Sequence, residues 1–222
     1  GVPVPVGFTR RFDASHQQLR REIEAGVIGK IELVQMVCRA SIMPPLEYLR
    51  SSGGQMRDQA IHFFDLLRFL TGDEVTTVAA MGDALALAEI AEFDDVDTSI
   101  LMLRMRGGAM AQLDNTRRTG HGYDERISLL GSDGVLESGS QTTRGVTLWQ
   151  GERRIQPGLY PDWFSRVEGS YYAHLDAFVR SLGGEEVADL PGLLDGLRAQ
   201  AIAEAAVLSL QQGQFVSVEP LA

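Results

Sequence analysis

The sequence predicts an α+β fold, in which a large, mostly antiparallel and open sheet has its helices packed on one face. The candidate strands in the middle of the chain follow one another directly, with turn sequences at residues 106–108 (RGG) and 131–133 (GSD), as in β-hairpins. Residues 100–105 (ILMLRM) and 110–113 (MAQL) are rich in apolar residues, and we predict strands there that place alternate apolar side chains on the two faces of the sheet. Helical patterns stand before and after this block, whereas a doubly wound fold would interleave them with the strands.

Four segments have the periodicity or the end signals of helices. Asp13 or Ser15 can cap the first of them, and Gly26 ends it. Gly72 follows the second, where a left-handed residue commonly closes a helix, and Pro191 stands near the start of the last. The predicted helices are residues 13–25, 57–70, 164–182 and 191–211.

The strands are predicted from alternation and from the turns that separate them. They are residues 31–40, 75–82, 98–105, 109–115, 126–130, 134–137 and, briefly, 216–218. Residues 145–150 and the segment around Ile155 are expected to extend the same sheet. Residues 42–52 are predicted to be a loop, and the acidic residues 92–97 a solvated loop.

Composition limits the kind of protein. The chain has 222 residues, 44% hydrophobic and 23% charged, which suits one large globular domain with or without appendages. A formal net charge of −10 argues against nucleic acid as a partner. No membrane span is expected, since no run of about 18 apolar residues occurs. Cys38 is the only cysteine, and no signal peptide stands out at the start of the chain, so a cytoplasmic protein is expected.

The segment 53–70, GGQMRDQAIHFFDLLRFL, places polar residues in a very apolar predicted helix. Asp58, His62 and Asp65 stand at positions i, i+4 and i+7, which a regular helix aligns on one face. An imidazole titrates near neutral pH, and a carboxylate one turn away can fix its tautomer and stabilise the imidazolium. Such a pair can remove a hydroxyl proton while a hydride leaves the same carbon.

Two other interpretations of this segment remain open at this point. His62 can be a buried histidine bonded within the helix, with Asp65 paired to Arg68 at i+3. His62 and the two aspartates can also be metal ligands, although the chain contains no Cys/His cluster.

Further motifs occur in a fixed order along nearly the whole chain, and together with the central segment they resemble the Gfo/Idh/MocA oxidoreductase family. Within that family the resemblance is to members like inositol 2-dehydrogenase. The motifs are GFTRRFD at 7–13, GVIG at 26–29, SGG at 52–54 before Asp58, His62 and Asp65, DT at 97–98, NTRR at 115–118 and GYDER at 122–126.

The resemblance implies a C-terminal domain of the dihydrodipicolinate-reductase-like type. Residues 1–12 are then a remnant of the last Rossmann strand and its junction, and residues 13–222 the substrate-binding and oligomerisation domain. Members of the family bind NAD or NADP with a preceding Rossmann domain. This chain contains no Gly-x-Gly-x-x-Gly, and its single lysine, Lys30, does not match the family's catalytic lysine. The isolated chain is therefore expected to be inactive.

The resemblance also implies roles for individual residues. His62 is the expected proton acceptor and Asp58 its catalytic partner, while Asp65, Tyr123 and Arg39 are expected to contact the substrate and Arg10 and Arg11 the cofactor. From the residues alone, Tyr123 can instead be a strand-edge aromatic, and Arg10 and Arg11 a solvated pair beside a helix start.

Some positions depart from the family pattern. Phe63 stands where an acidic residue is usual, Thr9 replaces a common asparagine, and residues 38–41 (CRAS) replace a strand end that binds polyol hydroxyls. A polyol or sugar is therefore the expected substrate class, without an assignment to inositol itself. Trp149 and Trp163 are expected to cover sheet edges.

Three hypotheses on function follow. The first is an NAD(P)-dependent dehydrogenase that acts on a polyol, inositol or sugar. The second is a non-catalytic binding or assembly module, whose open sheet face forms a homodimer or homotetramer by analogy with the family. The third is a metal-dependent hydrolase or isomerase that uses His62 and the nearby aspartates.

Overall fold

The computed structural model describes residues 4–139, 141–143 and 145–219. Five α-helices are α1 (Ala14–Glu24), α2 (Leu46–Ser51), α3 (Ile61–Thr71), α4 (Trp163–Leu182) and α5 (Leu193–Gln212). Nine strands are β1 (Ile31–Arg39), β2 (Val75–Asp83), β3 (Thr98–Met105), β4 (Met110–Thr116), β5 (Asp124–Gly131), β6 (Val135–Ser138), β7 (Leu148–Gln150), β8 (Arg153–Ile155) and β9 (Val216–Ser217). Shorter helical segments are the 3₁₀ turns Thr9–Phe12 and Ala88–Phe93 and the π turn Met56–Ala60.

The main sheet has seven strands in the order β6-β5-β1-β4-β3-β2-β9. Only the β1–β4 pair is parallel, because β1 inserts between the hairpin β3–β4 and strand β5. The predicted α+β class and the mostly antiparallel sheet are confirmed.

The helices α1, α3 and α5 pack over one face of this sheet and enclose the core. In β1 the alternate residues Val34, Met36 and Cys38 face that core and are at most 3% exposed. Helix α3 supplies large apolar side chains such as Phe64 and Leu67 to the same core. Burial of apolar surface of this kind is the main favourable contribution to folding.

The opposite face of the sheet has no described helix over it. Its strands present exposed apolar side chains, which are Met81, Ile100, Met102, Met110, Leu130 and Val135. Their pairings across neighbouring strands, such as Met81 with Ile100, place them on one surface. An uncovered surface of this kind is unusual for a monomer.

Three local predictions were wrong. Strands β7 and β8 form a separate two-stranded sheet and do not extend the main one. Residues 42–52 contain helix α2, which begins directly after Pro45, a residue that lacks an N–H donor and is tolerated at a helix start. The acidic segment includes a 3₁₀ turn, and Asp97 is fully buried, where its carboxylate accepts hydrogen bonds from the backbone N–H groups of residues 85–87.

In the part of the chain described, no helix is long and apolar enough to cross a membrane.

Candidate active site

A cavity of about 700 Å³ opens beside the π turn that precedes α3. Its polar lining comes from several separate parts of the chain and includes Arg10, Ser41, Tyr48, Asp58, Gln59, His62, Arg117, Tyr123 and Asp162. A smaller cavity of about 180 Å³, between the start of β2 and α5, contains none of the predicted site residues. The larger cavity is therefore the candidate active site.

The π turn Met56–Ala60 carries Asp58 and Gln59, which line the cavity directly before α3. A π turn takes more residues than an α turn, so it rotates the helix that follows relative to Asp58. Asp58 and His62 both line the cavity, whereas Asp65 does not. The regular helical spacing assumed from the sequence was wrong at this point.

Asp58 is held by two donors. The Tyr48 hydroxyl donates to Oδ1 at 2.6 Å, and Arg117 Nη1 donates to Oδ2 at 2.8 Å. The hydrogen bond to Asp58, assisted by burial, raises the pKa of Tyr48 to about 12. No hydrogen bond joins Asp58 to His62 among the described contacts, so the carboxylate faces the cavity as an acceptor and does not orient the imidazole.

His62 is half-buried, and its ring packs edge-on against Phe8 with 5.9 Å between centroids. Nδ1 is enclosed without a hydrogen-bond partner, which leaves Nε2 as the ring nitrogen on the cavity side. Burial and then the nearby Arg10 guanidinium lower the pKa of His62 to about 3. The imidazole is therefore neutral at physiological pH, which is the form that can accept a proton.

Arg10 and Tyr123 lie together at the base of the cavity. Arg10 Nη2 donates to the Tyr123 hydroxyl at 2.7 Å, and Arg10 Nε donates to Glu125 at 3.0 Å. The Tyr123 hydroxyl in turn donates to Glu125 at 3.1 Å, and burial raises the pKa of Tyr123 well above its usual value. Since its proton is already used, this hydroxyl can meet a substrate only as an acceptor.

Arg11 and Asp65 form a buried ion pair away from the cavity. Arg11 Nε and Nη2 donate to the two oxygens of Asp65 at 2.8 and 2.6 Å, and Nη2 also donates to Asp195 at 2.9 Å. Asp65 is 1% exposed, and burial raises its pKa while Arg11 acts in the opposite direction. Neither residue lines the cavity, so the expected contacts of Asp65 with a substrate and of Arg11 with a cofactor are not part of this site.

Arg39 is also placed differently from the sequence expectation. It is the last residue of β1, and side chains alternate between the two faces of a strand. Because Cys38 faces the core, Arg39 lies on the open face, where its Nε donates to Asp114 at 3.1 Å. It does not line the cavity.

Sequence reasoning missed several residues of the cavity. Arg117 belongs to the NTRR motif, but no role was assigned to it, and Tyr48 lies in a segment predicted to be a loop. Trp163, expected at a sheet edge, instead lines the cavity together with Tyr171 of α4. Trp149 lies in the separate hairpin formed by β7 and β8.

A metal centre is not assembled by the described residues, in which no group of three or more His, Cys, Asp or Glu side chains comes together with suitable spacing. Asp65 is engaged by Arg11, so the ligand set of Asp58, His62 and Asp65 considered from the sequence does not converge on one point.

The chain thus forms an open sheet with helices on one face, next to a cavity that contains an acid and an imidazole. Residues 16–137, more than half of the chain, match the family model described as GFO/IDH/MocA C-terminal domain. The chain belongs to this family.

Its relatives include inositol 2-dehydrogenase of Rhizobium meliloti, 35% identical over 96% of this chain and 64% of the relative. Two solved structures are similar along its length. A myo-inositol dehydrogenase from Corynebacterium glutamicum superposes with a TM-score of 0.90 at 30% identity, covering 98% of this chain and 65% of that one. Scyllo-inositol dehydrogenase from Lactobacillus casei, with bound NAD(H) and scyllo-inositol, gives a TM-score of 0.83 at 26% identity, covering 96% and 64%. The chain thus spans about two thirds of the length of these proteins.

Replacing Asp65 tests its structural placement. Asp65→Asn should lower the free energy of unfolding by about 3 kcal/mol, because it leaves the buried Arg11 charge without its main partner. Glu24→Gln is a matched control, since it removes an exposed partner of Arg20 and should cost at most about 0.5 kcal/mol. Urea denaturation monitored by circular dichroism measures both. Equal stability of the two variants would contradict the buried pair.

The stability of the protein at acidic pH tests whether His62 is desolvated. An unfolded histidine takes up a proton near pH 6.5, whereas folded His62 resists protonation until about pH 3, so stability falls as the pH drops below 6.5. Between pH 7 and pH 5 the wild-type protein should lose about 1 to 2 kcal/mol more than His62→Gln. Denaturant titrations at both pH values check this, and parallel losses in the two proteins would show that His62 is not desolvated.

Proposed function

We propose that this chain is the substrate-binding and catalytic domain of an NAD(P)-dependent oxidoreductase that acts on a CH–OH group of a polyol, inositol or sugar. The observation that supports this most directly is the neutral imidazole of His62 on the cavity side, next to the carboxylate of Asp58. The inositol dehydrogenases among its relatives favour the same chemistry.

The polar lining suits a substrate with several hydroxyl groups. Each oxygen of Asp58 receives one donor and retains a lone pair for a substrate hydroxyl. The Tyr123 oxygen is a further acceptor, while Arg117 and Arg10 place positive charge close by. A ring with hydroxyls on several carbons can meet these groups together.

The proton-transfer step follows from the same groups. As the substrate hydroxyl begins to lose its proton to His62, negative charge develops on its oxygen. That charge raises the pKa of the imidazole and offsets the effect of Arg10, because an anion close to an imidazolium favours it. Arg117, fixed on Asp58, and Arg10, fixed on Glu125, are preorganised cations that can stabilise the developing alkoxide.

The proposal assigns only part of the cofactor binding to this chain. The sequence has no glycine-rich phosphate-binding motif, and the two arginines of the cavity, Arg10 and Arg117, are engaged by Glu125 and Asp58. A bound nicotinamide would supply the hydride acceptor, and contact with Arg10 is part of the proposal because Arg10, unlike Arg11, lines the cavity. The division into a junction at residues 1–12 and a domain at 13–222, and a cytoplasmic location, are further parts of the proposal.

The open sheet face is proposed to pair with other copies of the chain. Its exposed apolar side chains include Ile100, Met102 and Met110 on two adjacent strands, so the surface is continuous. A homodimer or homotetramer would bury this surface, as homodimer interfaces commonly do.

The role of His62 as proton acceptor can be tested in a protein in which this chain is joined to a dinucleotide-binding domain. Reduction of NAD or NADP with a panel of polyols and sugars should fall about 10² to 10⁴-fold in His62→Ala, the usual contribution of a general base. His121→Ala is the control, because His121 is exposed and does not line the cavity. Turnover that survives in His62→Ala while folding is intact would exclude His62 as the acceptor.

Association through the sheet can be tested by sedimentation. Met102→Glu introduces a charge in the middle of the open face and should convert the oligomer into monomers, since a buried unpaired charge is costly. Gln18→Glu makes a similar charge change on an exposed position of α1 and should leave the assembly unchanged. A monomeric wild-type protein, or an oligomer that tolerates Met102→Glu, would refute this interface.

A further inference from the structure

We propose that the substrate carries an apolar group on its hydroxyl-rich ring, so that an aryl or alkyl glycoside suits the cavity better than an unsubstituted polyol. This inference rests on the proposed function and refines its substrate class. It follows from the side of the cavity that lies away from Asp58 and His62.

That side of the cavity is mainly apolar and is formed by two segments, next to which the polar side chains of Ser41 and Asp162 are engaged by Pro161 and Ser165. The first is residues 42–45, Ile-Met-Pro-Pro, and the second is the start of α4 with Trp163 and Tyr171. The Ser41 hydroxyl donates to the Pro161 carbonyl at 2.5 Å, which joins the two segments directly. The Trp163 and Tyr171 rings lie 6.4 Å apart between centroids, so they form one aromatic surface.

Tyr48 connects this apolar surface to the polar one. It belongs to α2, directly after the two prolines, and its hydroxyl donates to Asp58. Its hydroxyl is therefore committed to the polar side, while its ring lines the cavity next to the prolines. A single ligand can touch both surfaces.

The chemistry of the apolar side argues against a bare polyol. None of the side chains of residues 42–45 can donate a hydrogen bond, the Met43 sulfur is only a weak acceptor, and the prolines lack even a backbone N–H. Hydroxyl groups turned toward them would lose water without gaining partners. Trp163 is 49% exposed and Ile42 67% exposed, so an apolar group placed here would cover surface that is now in contact with water.

The volume of the cavity also favours a ring that carries an additional group. A volume of about 700 Å³ is in the upper part of the range of pockets that hold drug-sized ligands, and it leaves space beyond one six-membered ring. An aromatic group beside Trp163 can adopt the offset or edge-on geometry that aromatic pairs prefer.

The test uses fluorescence of this chain without cofactor. The chain has two tryptophans, so in a Trp149→Phe background Trp163 alone reports on ligands. The ligands are phenyl β-D-glucopyranoside, methyl β-D-glucopyranoside, myo-inositol and phenol. The phenyl glucoside should bind about tenfold more tightly than the methyl glucoside, a gain typical of one aromatic contact together with its buried area.

Variants separate the two surfaces of the cavity, with binding of the variants measured by calorimetry. Trp163→Ala should reduce the phenyl glucoside to the affinity of the methyl glucoside, whereas Trp163→Phe should preserve most of the preference. Asp58→Asn should weaken both glucosides and leave phenol unaffected.

Each outcome has a definite meaning. Equal affinity for the two glucosides, or a preference that survives in Trp163→Ala, overturns the apolar-group inference and leaves the proposed function standing. Tight binding of phenol alone also overturns it, and binding of none of the ligands counts against both the inference and the proposed substrate class. If Trp163 becomes inaccessible to ligand and to acrylamide once a dinucleotide-binding domain is joined to the chain, that domain is the occupant and the inference is wrong.

Discussion

Two consecutive arginines in one 3₁₀ turn hold the site to the rest of the fold. Arg10 binds Tyr123 and Glu125, near the start of β5, and Arg11 binds Asp65 of α3 and Asp195 of α5. Each guanidinium also lies over a phenylalanine ring, Arg10 over Phe63 at 5.1 Å and Arg11 over Phe69 at 5.3 Å. Buried charges are tolerated only when they are paired and hydrogen-bonded, so this turn fixes the helices and the sheet edge in one arrangement.

The same arrangement sets the electrostatics of the cavity. Arg10 keeps Tyr123 in place, yet its positive charge lies close enough to lower the pKa of His62. Glu125 compensates only in part, because its carboxylate is shared with Arg10, Tyr123 and Arg166. A cavity built in this way keeps its imidazole neutral in the absence of a ligand and becomes a better proton acceptor when an anionic oxygen develops within it.

Much of the fold could be predicted from the sequence, because alternation and turn residues act locally. The hairpin β3–β4 and the closure of α3 at Gly72 depend on residues within a few positions of one another. The partner of Asp65 could not be found in this way. Its hydrogen-bonded partner is Arg11, 54 positions away in sequence, whereas the local candidate Arg68 donates to Glu74 and forms only a longer ion pair with Asp65, at 3.8 Å. The π turn before α3 has no reliable sequence signal either, and it changes the rotation of Asp58 relative to His62 and Asp65.

The placement of Arg39 shows that a shift of one residue along a strand moves a side chain to the other face of the sheet and so changes which groups line the cavity. At the end of β1 the alternation of side chains directs Cys38 to the core and Arg39 to the open face, where it pairs with Asp114. The end of β1 therefore contributes no charged side chain to the cavity. After β1 the cavity is lined by Ala40, Ser41 and the apolar residues 42–45. Most of the polar groups of the cavity come from the π turn and α3, the residues after β4 and the arginine turn, and they lie together on one side of the cavity. Its two-sided character is therefore a consequence of strand geometry together with a proline-rich connection.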